Sequence, residues 1–239
     1  MRVARWTVGP VSTAGYQCLA LSIASFQLHH QVDKVVVCHN CPRINLGDIV
    51  ARFPSIELFD QSHYAENAIP PKGVAWKLYP PRLFPDDHEL CIDNDIVFLD
   101  PIQEIDRFYT GDCTLVLEGS SRTYGRFERC VPVGYQINSG VYGMPPGFNL
   151  QKYIDFFVRE EWEENAYGQH AASKTFDEQG LVAVSLLSYG KFVIIPQQTL
   201  TNCEHHLVPG KALHFVSLNR NELHEPFRIF KSSLNKIYL

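Results

Sequence analysis

The chain has 239 residues, a net charge of −5, 45% hydrophobic and 20% charged residues, and seven cysteines. That length suits one medium-to-large domain with a sizeable core, and the acidic balance speaks against a nucleic-acid partner, which calls for a basic surplus. No apolar run approaches the roughly eighteen residues of a membrane span. The basic start Met1-Arg2-Val3-Ala4-Arg5 reaches Gly9-Pro10 without the apolar stretch of a signal peptide, so a cytoplasmic location is expected.

Segments of helical period alternate with short β-branched runs, the pattern of an α/β fold. Residues 5–8 read as a first strand that Gly9-Pro10 stops. Over 16–29, Leu19, Ile23 and Phe26 recur at helical spacing, with Ala20 and Ala24 on the same face. Lys34-Val35-Val36-Val37-Cys38 is a continuous apolar strand of the kind buried on both faces of a parallel sheet. A weaker helix is expected over 44–53 and a third strand over 56–59. Pro70-Pro71 breaks the chain before a helical stretch over 74–84, itself interrupted by Pro80-Pro81.

Residues 89–92 then rise as a central strand into Asp93-Asn94-Asp95, and another apolar run follows over 96–99. Further strands are expected over 114–117, 140–143 and 192–195, with helices over 151–162 and 180–189. A mixed C-terminal stretch closes the chain. There is no internal repeat, low-complexity tract or linker, so one domain over 1–239 is expected.

The cysteines are odd in number and several lie in apolar, strand-like runs, as buried reduced thiols do. Cys38-His39-Asn40-Cys41 is a C-x-x-C directly after a strand. A redox pair there would have to open a helix, where the dipole lowers a thiol pKa, and Pro42-Arg43-Ile44-Asn45 allows such a start. A zinc site completed by Cys203, His205 and His206 lacks a second C-x-x-C or a spaced histidine pair.

Two carboxylates flank one residue where the central strand ends, in Cys91-Ile92-Asp93-Asn94-Asp95-Ile96-Val97. Alternate side chains of an extended segment face the same way, so both aspartates can turn to one side. Two hard oxygen ligands make a seat for a divalent metal, whose charge can neutralise a diphosphate. The plainer reading is an exposed turn with one aspartate as a cap. A second functional reading is a haloacid-dehalogenase-like phosphatase, with the first aspartate of D-x-D-x-V as nucleophile. That motif belongs on a first strand, whereas a long α/β stretch precedes Asp93 and no convincing paired-acid motif follows.

Together these motifs resemble the GT-A glycosyltransferases, and most closely the family 8 group that includes glycogenin and the lipopolysaccharide galactosyl- and glucosyltransferases. Residues 8–26 resemble the opening strand, loop and helix, with Tyr16 placed like the aromatic that stacks on uracil and Ser25 closing the pattern. Lys77, in Trp76-Lys77-Leu78, resembles the helix lysine that reaches the donor phosphates, and Ile92 to Phe98 the strand bearing the D-x-D. Ile137-Asn138-Ser139-Gly140-Val141 resembles the N-S-G-V segment lining the sugar pocket. In Asp177-Glu178-Gln179-Gly180-Leu181, either acid could take the aspartate's place in the D-Q-G helix start. His214-Phe215 resembles the late H-F pair, whose histidine is a third protein ligand to manganese.

The resemblance implies a GT-A nucleotide-diphospho-sugar transferase fold, a single mixed and mostly parallel sheet flanked by helices. It implies retaining transfer of a hexose from a nucleotide-diphosphate donor, UDP-linked, to a hydroxyl of a glycan, lipid-linked or protein acceptor. Asp95 and His214 would hold Mn²⁺ or Mg²⁺, with Asp93 meeting the metal or the ribose, and Asn138 and Asp177 would orient the sugar. Lys77 and Arg220 would face the diphosphate, while Tyr16, Gly9, His39 and Asn40 would meet base and ribose. The last two sit where open α/β sheets place ligands.

Departures are visible too. The family's H-F-x-G-x-x-K-P-W becomes His214-Phe215-Val216-Ser217-Leu218-Asn219-Arg220, with serine for glycine and arginine for the phosphate-binding lysine. The loop over 9–15 is longer than the family's turn. A non-catalytic nucleotide-sugar-binding relative is therefore an alternative. Each pick also has a structural reading: Lys77 as a solvated charge, Tyr16 as core, His214 as a satisfied histidine, Asn138 as a turn former. The cationic and apolar residues over 228–239 would suit peripheral membrane contact or packing on the domain.

Overall fold

A computed structural model describes residues 1–64, 73–165, 176–202 and 210–215. Strand β1 (Arg2–Val8) is buried along almost its whole length. Helix α1 (Thr13–His29) follows, with Ser12 as its N-cap accepting the Gly15 N–H at 3.3 Å. Strand β2 (Lys34–His39) pairs parallel with β1. As expected, it is buried on both faces: Val35 and Val37 enter the main core, while Val36 and Cys38 pack with Val3 on the other side.

The single helix expected over 44–53 is a 3₁₀ turn, Arg43–Leu46, running into α2 (Gly47–Arg52). Strand β3 (Glu57–Asp60) comes next. Over 74–84 no α-helix forms; Lys77 lies on a 3₁₀ segment, Gly73–Leu78. Pro80 and Pro81 lack the N–H groups that would extend it.

Strand β4 (His88–Asp93) leads through a turn into the short β5 (Ile96–Phe98). Helix α3 (Gln103–Thr110), absent from the sequence expectations, buries Ile105, Phe108 and Tyr109. There follow β6 (Thr114–Glu118), β7 (Ile137–Met144), α4 (Leu150–Asn165), α5 (Asp177–Leu187) and β8 (Phe192–Ile195). Two more strands, β9 (Leu200–Asn202) and β10 (Ala212–His214), lie in the stretch the sequence left mixed.

Among the described residues, seven strands form one sheet in the order β3-β2-β1-β4-β7-β6-β8. Only β7 runs antiparallel, against both β4 and β6. A second sheet, β5-β10-β9, covers α1 from the other side. The helix is therefore apolar nearly all round, as a helix between two layers must be. Leu19, Ile23 and Phe26 enter the main core, while Cys18 and Leu21 pack against Val97, Leu213 and Phe215.

Hydroxyls on α1 hold the end of β4 in place. Ser22 Oγ accepts from Trp6 Nε1 at 2.8 Å and donates to the Asp93 carbonyl at 3.5 Å. Ser25 Oγ accepts the Phe98 N–H at 3.0 Å. Among the described residues, no helix is long and apolar enough to cross a membrane.

Candidate active site

The site grows from the carboxyl edge of the main sheet. Pairing of β4 with β1 runs to Thr7↔Asp93, and pairing with β7 stops at Ile92↔Val141, so Asp93 stands at the strand's tip with its β7 side open. The second sheet supplies the next partner. Antiparallel pairing of β10 with β5 sets His214 opposite Ile96, and the Phe215 N–H donates to the Asp95 carbonyl at 2.9 Å.

His214 Nε2 thereby lies 3.3 Å from Asp95 Oδ1 and 4.0 Å from Asp93 Oδ2. One ligand atom from each of Asp93, Asp95 and His214 falls within 4.8 Å of the others. Asp95 and His214 are buried and Asp93 is half-buried. Burial acts to lower the His214 pKa, but the charge and hydrogen bond of Asp95, with Asp93 behind it, outweigh it and raise the pKa above its ordinary value.

Lys77 reaches the same cluster from the 3₁₀ segment. Its ammonium is 2.8 Å from Asp93 Oδ1 and donates to Ser139 Oγ and O at 3.2 and 3.4 Å. Burial works against its charge, yet Asp93 and Glu178 outweigh that and raise its pKa. It is a buried, paired cation rather than a solvated one. A core ion pair fixes its backbone: Arg5 Nη2 donates to the Lys77 and Pro80 carbonyls at 2.9 and 2.8 Å, and Arg5 Nη1 meets Glu89 Oε1 at 2.6 Å. The sequence signal of that pair is a charge in each of two apolar strands, Arg5 in β1 and Glu89 in the strand that ends at Asp93.

A register shift in β7 opposite Val116 and Leu117 brings Asn138, Ser139 and Gly140 to the site. Asn138 Oδ1 is taken by the Gly140 N–H at 2.7 Å, so half of this amide forms its own turn. Gly140 is needed for space: a Cβ there would lie 2.8 Å from Asn138 Oδ1 and 3.0 Å from His214 Cε1. Gly140→Ala is expected to destabilise the protein by about 1–3 kcal/mol through overpacking. Gly47→Ala, where a Cβ meets nothing within 4 Å, should stay within about 1 kcal/mol. Urea unfolding of the two variants measures the contrast.

The two acids that open α5 part company. Asp177 turns to Arg126, accepting from its backbone N–H at 2.9 Å and its Nε at 2.8 Å. Gly125, at φ +57°, makes room for that contact, since a Cβ there would sit on Asp177 Oδ1. Glu178 faces Lys77 instead and accepts from Ser139 Oγ at 3.3 Å. Burial, as the main cause, raises its pKa. Gln179 Oε1 accepts the Ser139 N–H at 3.2 Å. Of the two acids, the one in the Lys77 network is therefore Glu178.

A second group gathers at the tips of β1 and β2. Half-buried Tyr16 donates to the Gly9 carbonyl at 3.4 Å and accepts from Asn45 Nδ2 at 3.2 Å. His39 Nδ1 contacts the Cys41 carbonyl at 3.0 Å, and a Cβ on Gly9 would lie 3.1 Å from Asn40 Oδ1. Buried Asn40 Oδ1 meets no hydrogen-bond partner among the described residues.

The C-x-x-C does not form a redox pair. Cys38 and Cys41 are free thiols that enter different clusters, on opposite sides of the sheet. Burial pushes the Cys38 pKa up to about 11, the reverse of a redox thiolate. Arg220, the Cys203, His205 and His206 group, and residues 228–239 lie outside the described residues.

No protein-family model and no curated protein matches the chain. Solved structures do. The galactosyltransferase LgtC, in complex with donor and acceptor sugar analogues, superposes with a TM-score of 0.62 at 15% identity, covering 97% of this chain and 95% of its own. Mouse xyloside xylosyltransferase 1 gives 0.60 at 10% identity, covering 91% and 98%. The glycosyltransferase GlyE of Streptococcus pneumoniae gives 0.57 at 15%, covering 96% of this chain and 60% of its own. The chain has the GT-A fold, a mixed, mostly parallel sheet flanked by helices. The haloacid-dehalogenase-like reading finds no support in it, because Asp93 ends β4, not the first strand, and Asp95 lies in the turn after it.

Proposed function

We propose that the chain is a metal-dependent glycosyltransferase of the family 8 kind. It would move a hexose from a UDP-linked donor to a hydroxyl of a glycan, lipid-linked or protein acceptor, with retention of configuration. The observation that supports this most is the convergence of Asp93, Asp95 and His214 beside a buried lysine at the carboxyl edge of a GT-A sheet. LgtC, which shares the fold, has been seen with donor and acceptor sugar analogues.

Two hard carboxylates with one imidazole suit Mn²⁺ or Mg²⁺, and the nitrogen favours Mn²⁺. Such an ion, when bound, supplies charge that stabilises the departing diphosphate. Lys77 adds a preorganised cation on the same side, and Arg220 would extend it. Glu178, Gln179 and Asn138 would line the sugar, with Asp177 bracing the turn through Arg126. Tyr16, Gly9, His39 and Asn40 would receive the base and ribose.

Thermal shift with UDP, GDP and their sugars, with and without Mn²⁺, tests the reading. UDP with Mn²⁺ near a hundred times its Kd should raise the Tm by roughly 5–10 °C, from about 2.7 kcal/mol of linkage, and either component alone by much less. Donor hydrolysis in the same samples separates an enzyme from a non-catalytic binder. Phosphate release from a simple monoester, without any nucleotide effect, sinks the proposal.

A further inference from the structure

Lys77 stands in a position that a phosphate ligand alone would not need. Its ammonium does not wait in solvent for a donor; it is already spent on Asp93 Oδ1 at 2.8 Å. Asp93 is one of the three groups of the candidate metal seat, and its other oxygen faces His214. Before any cation arrives, one carboxylate of the seat thus lies between an ammonium and an imidazole.

We propose that Lys77 is a built-in counter-ion of this seat, displaced from Asp93 by the divalent cation and thereby released to the donor's diphosphate. The inference rests on the reading of Asp93, Asp95 and His214 as a metal seat. A divalent ion and an ammonium repel each other strongly at contact distance in a partly buried site. On the two oxygens of one carboxylate they compete for the same charge, and the more highly charged ion has the stronger hold on Asp93.

The surroundings allow the lysine's head to move while its base stays put. The Lys77 carbonyl accepts from Arg5 Nη2 at 2.9 Å and from the Tyr142 hydroxyl at 3.3 Å, which pins the backbone. The flexible four-carbon stem is free to re-aim. Ser139, whose carbonyl and hydroxyl already accept from Nζ, and Glu178 behind it keep the ammonium at the site after Asp93 lets go.

Two consequences follow from reciprocal linkage. Lys77 weakens metal binding while no nucleotide is present, and the metal strengthens nucleotide binding by freeing Lys77 as well as by its own charge. A lysine that served only as a phosphate ligand would leave metal affinity unchanged.

Mn²⁺ binding to the full chain, read by electron paramagnetic resonance without nucleotide, should tighten about tenfold in Lys77→Gln, while the Mn²⁺-dependent binding of UDP is lost. Acylation of Lys77 in the wild-type chain, followed by mass spectrometry, gives a readout free of any folding defect. Mn²⁺ alone should raise its labelling several-fold, and UDP added with Mn²⁺ should suppress it again. If wild type binds Mn²⁺ through Asp95 but Lys77→Gln binds no tighter and Mn²⁺ leaves the labelling unchanged, the counter-ion role is overturned and the metal seat survives. If wild type takes up no Mn²⁺ and Asp95→Asn changes nothing, the metal reading falls and this inference falls with it.

Discussion

Asp95→Asn is expected to leave the protein folded and to lower the proposed hexose transfer about a thousandfold, the scale of several kcal/mol of lost charge stabilisation. Asparagine has nearly the shape of aspartate, and the bond from the Phe215 N–H goes to the Asp95 carbonyl, which the substitution keeps. What goes is one of two carboxylates facing His214. Loss of Mn²⁺ binding by electron paramagnetic resonance should accompany the loss of transfer; normal Mn²⁺ affinity in the variant would remove Asp95 from the seat.

The same variant changes the pH dependence of the metal-free protein. Burial lowers the His214 pKa, and Asp95 is the leading influence that raises it, so the net value stands above the ordinary 6.5. A raised folded-state pKa contributes stability that is fully present below the unfolded value and lost as pH rises through the folded one. Wild type should therefore lead Asp95→Asn most at about pH 5.5 in urea unfolding with chelator, and the lead should shrink by about pH 8.5. Mn²⁺ has to displace that proton, so its affinity for wild type should climb over the same interval.

What the sequence made legible follows from how each feature is encoded. The Asp93-Asn94-Asp95 turn sits between two apolar runs, and β4 and β5 form where those runs are. Helix α1 showed its period, yet the apolar residues off that stripe, Cys18 and Leu21, meant something more: they face a second sheet. That sheet could not be read, because its strands are three residues each and its order joins β5 to β10 across nearly half the chain. His214 was legible only through the resemblance, since its geometry comes from that pairing. Sequence left Asp177 and Glu178 equivalent; they separate because successive helix positions point about 100° apart, one to Arg126 and one to Ser139. Lys77 was placed on a helix by spacing, whereas the prolines after it leave a 3₁₀ turn that Arg5 holds.

Glu89→Ala is expected to cost about 3–5 kcal/mol, the penalty for leaving a buried charge without its partner, and so to lower the Tm by on the order of 10 °C. Both side chains of the Arg5–Glu89 pair are fully buried, 2.6 Å apart. Glu89 Oε2 also accepts the Leu83 and Phe84 N–H groups at 3.0 and 2.8 Å, so the substitution orphans two backbone donors along with the guanidinium. Replacing both partners, as Arg5→Met with Glu89→Met, removes the two charges of that pair, leaving Arg82 at the edge of the site, and should recover part of that loss. Function should not recover with it. Arg5 is also the donor to the Lys77 and Pro80 carbonyls, and methionine offers no hydrogen there. The double variant is thus expected to be more stable than Glu89→Ala, yet to bind UDP with Mn²⁺ at least tenfold more weakly than wild type. Equal affinity in the double variant would show that the core ion pair supports the sheet alone and that Lys77 finds its place without it.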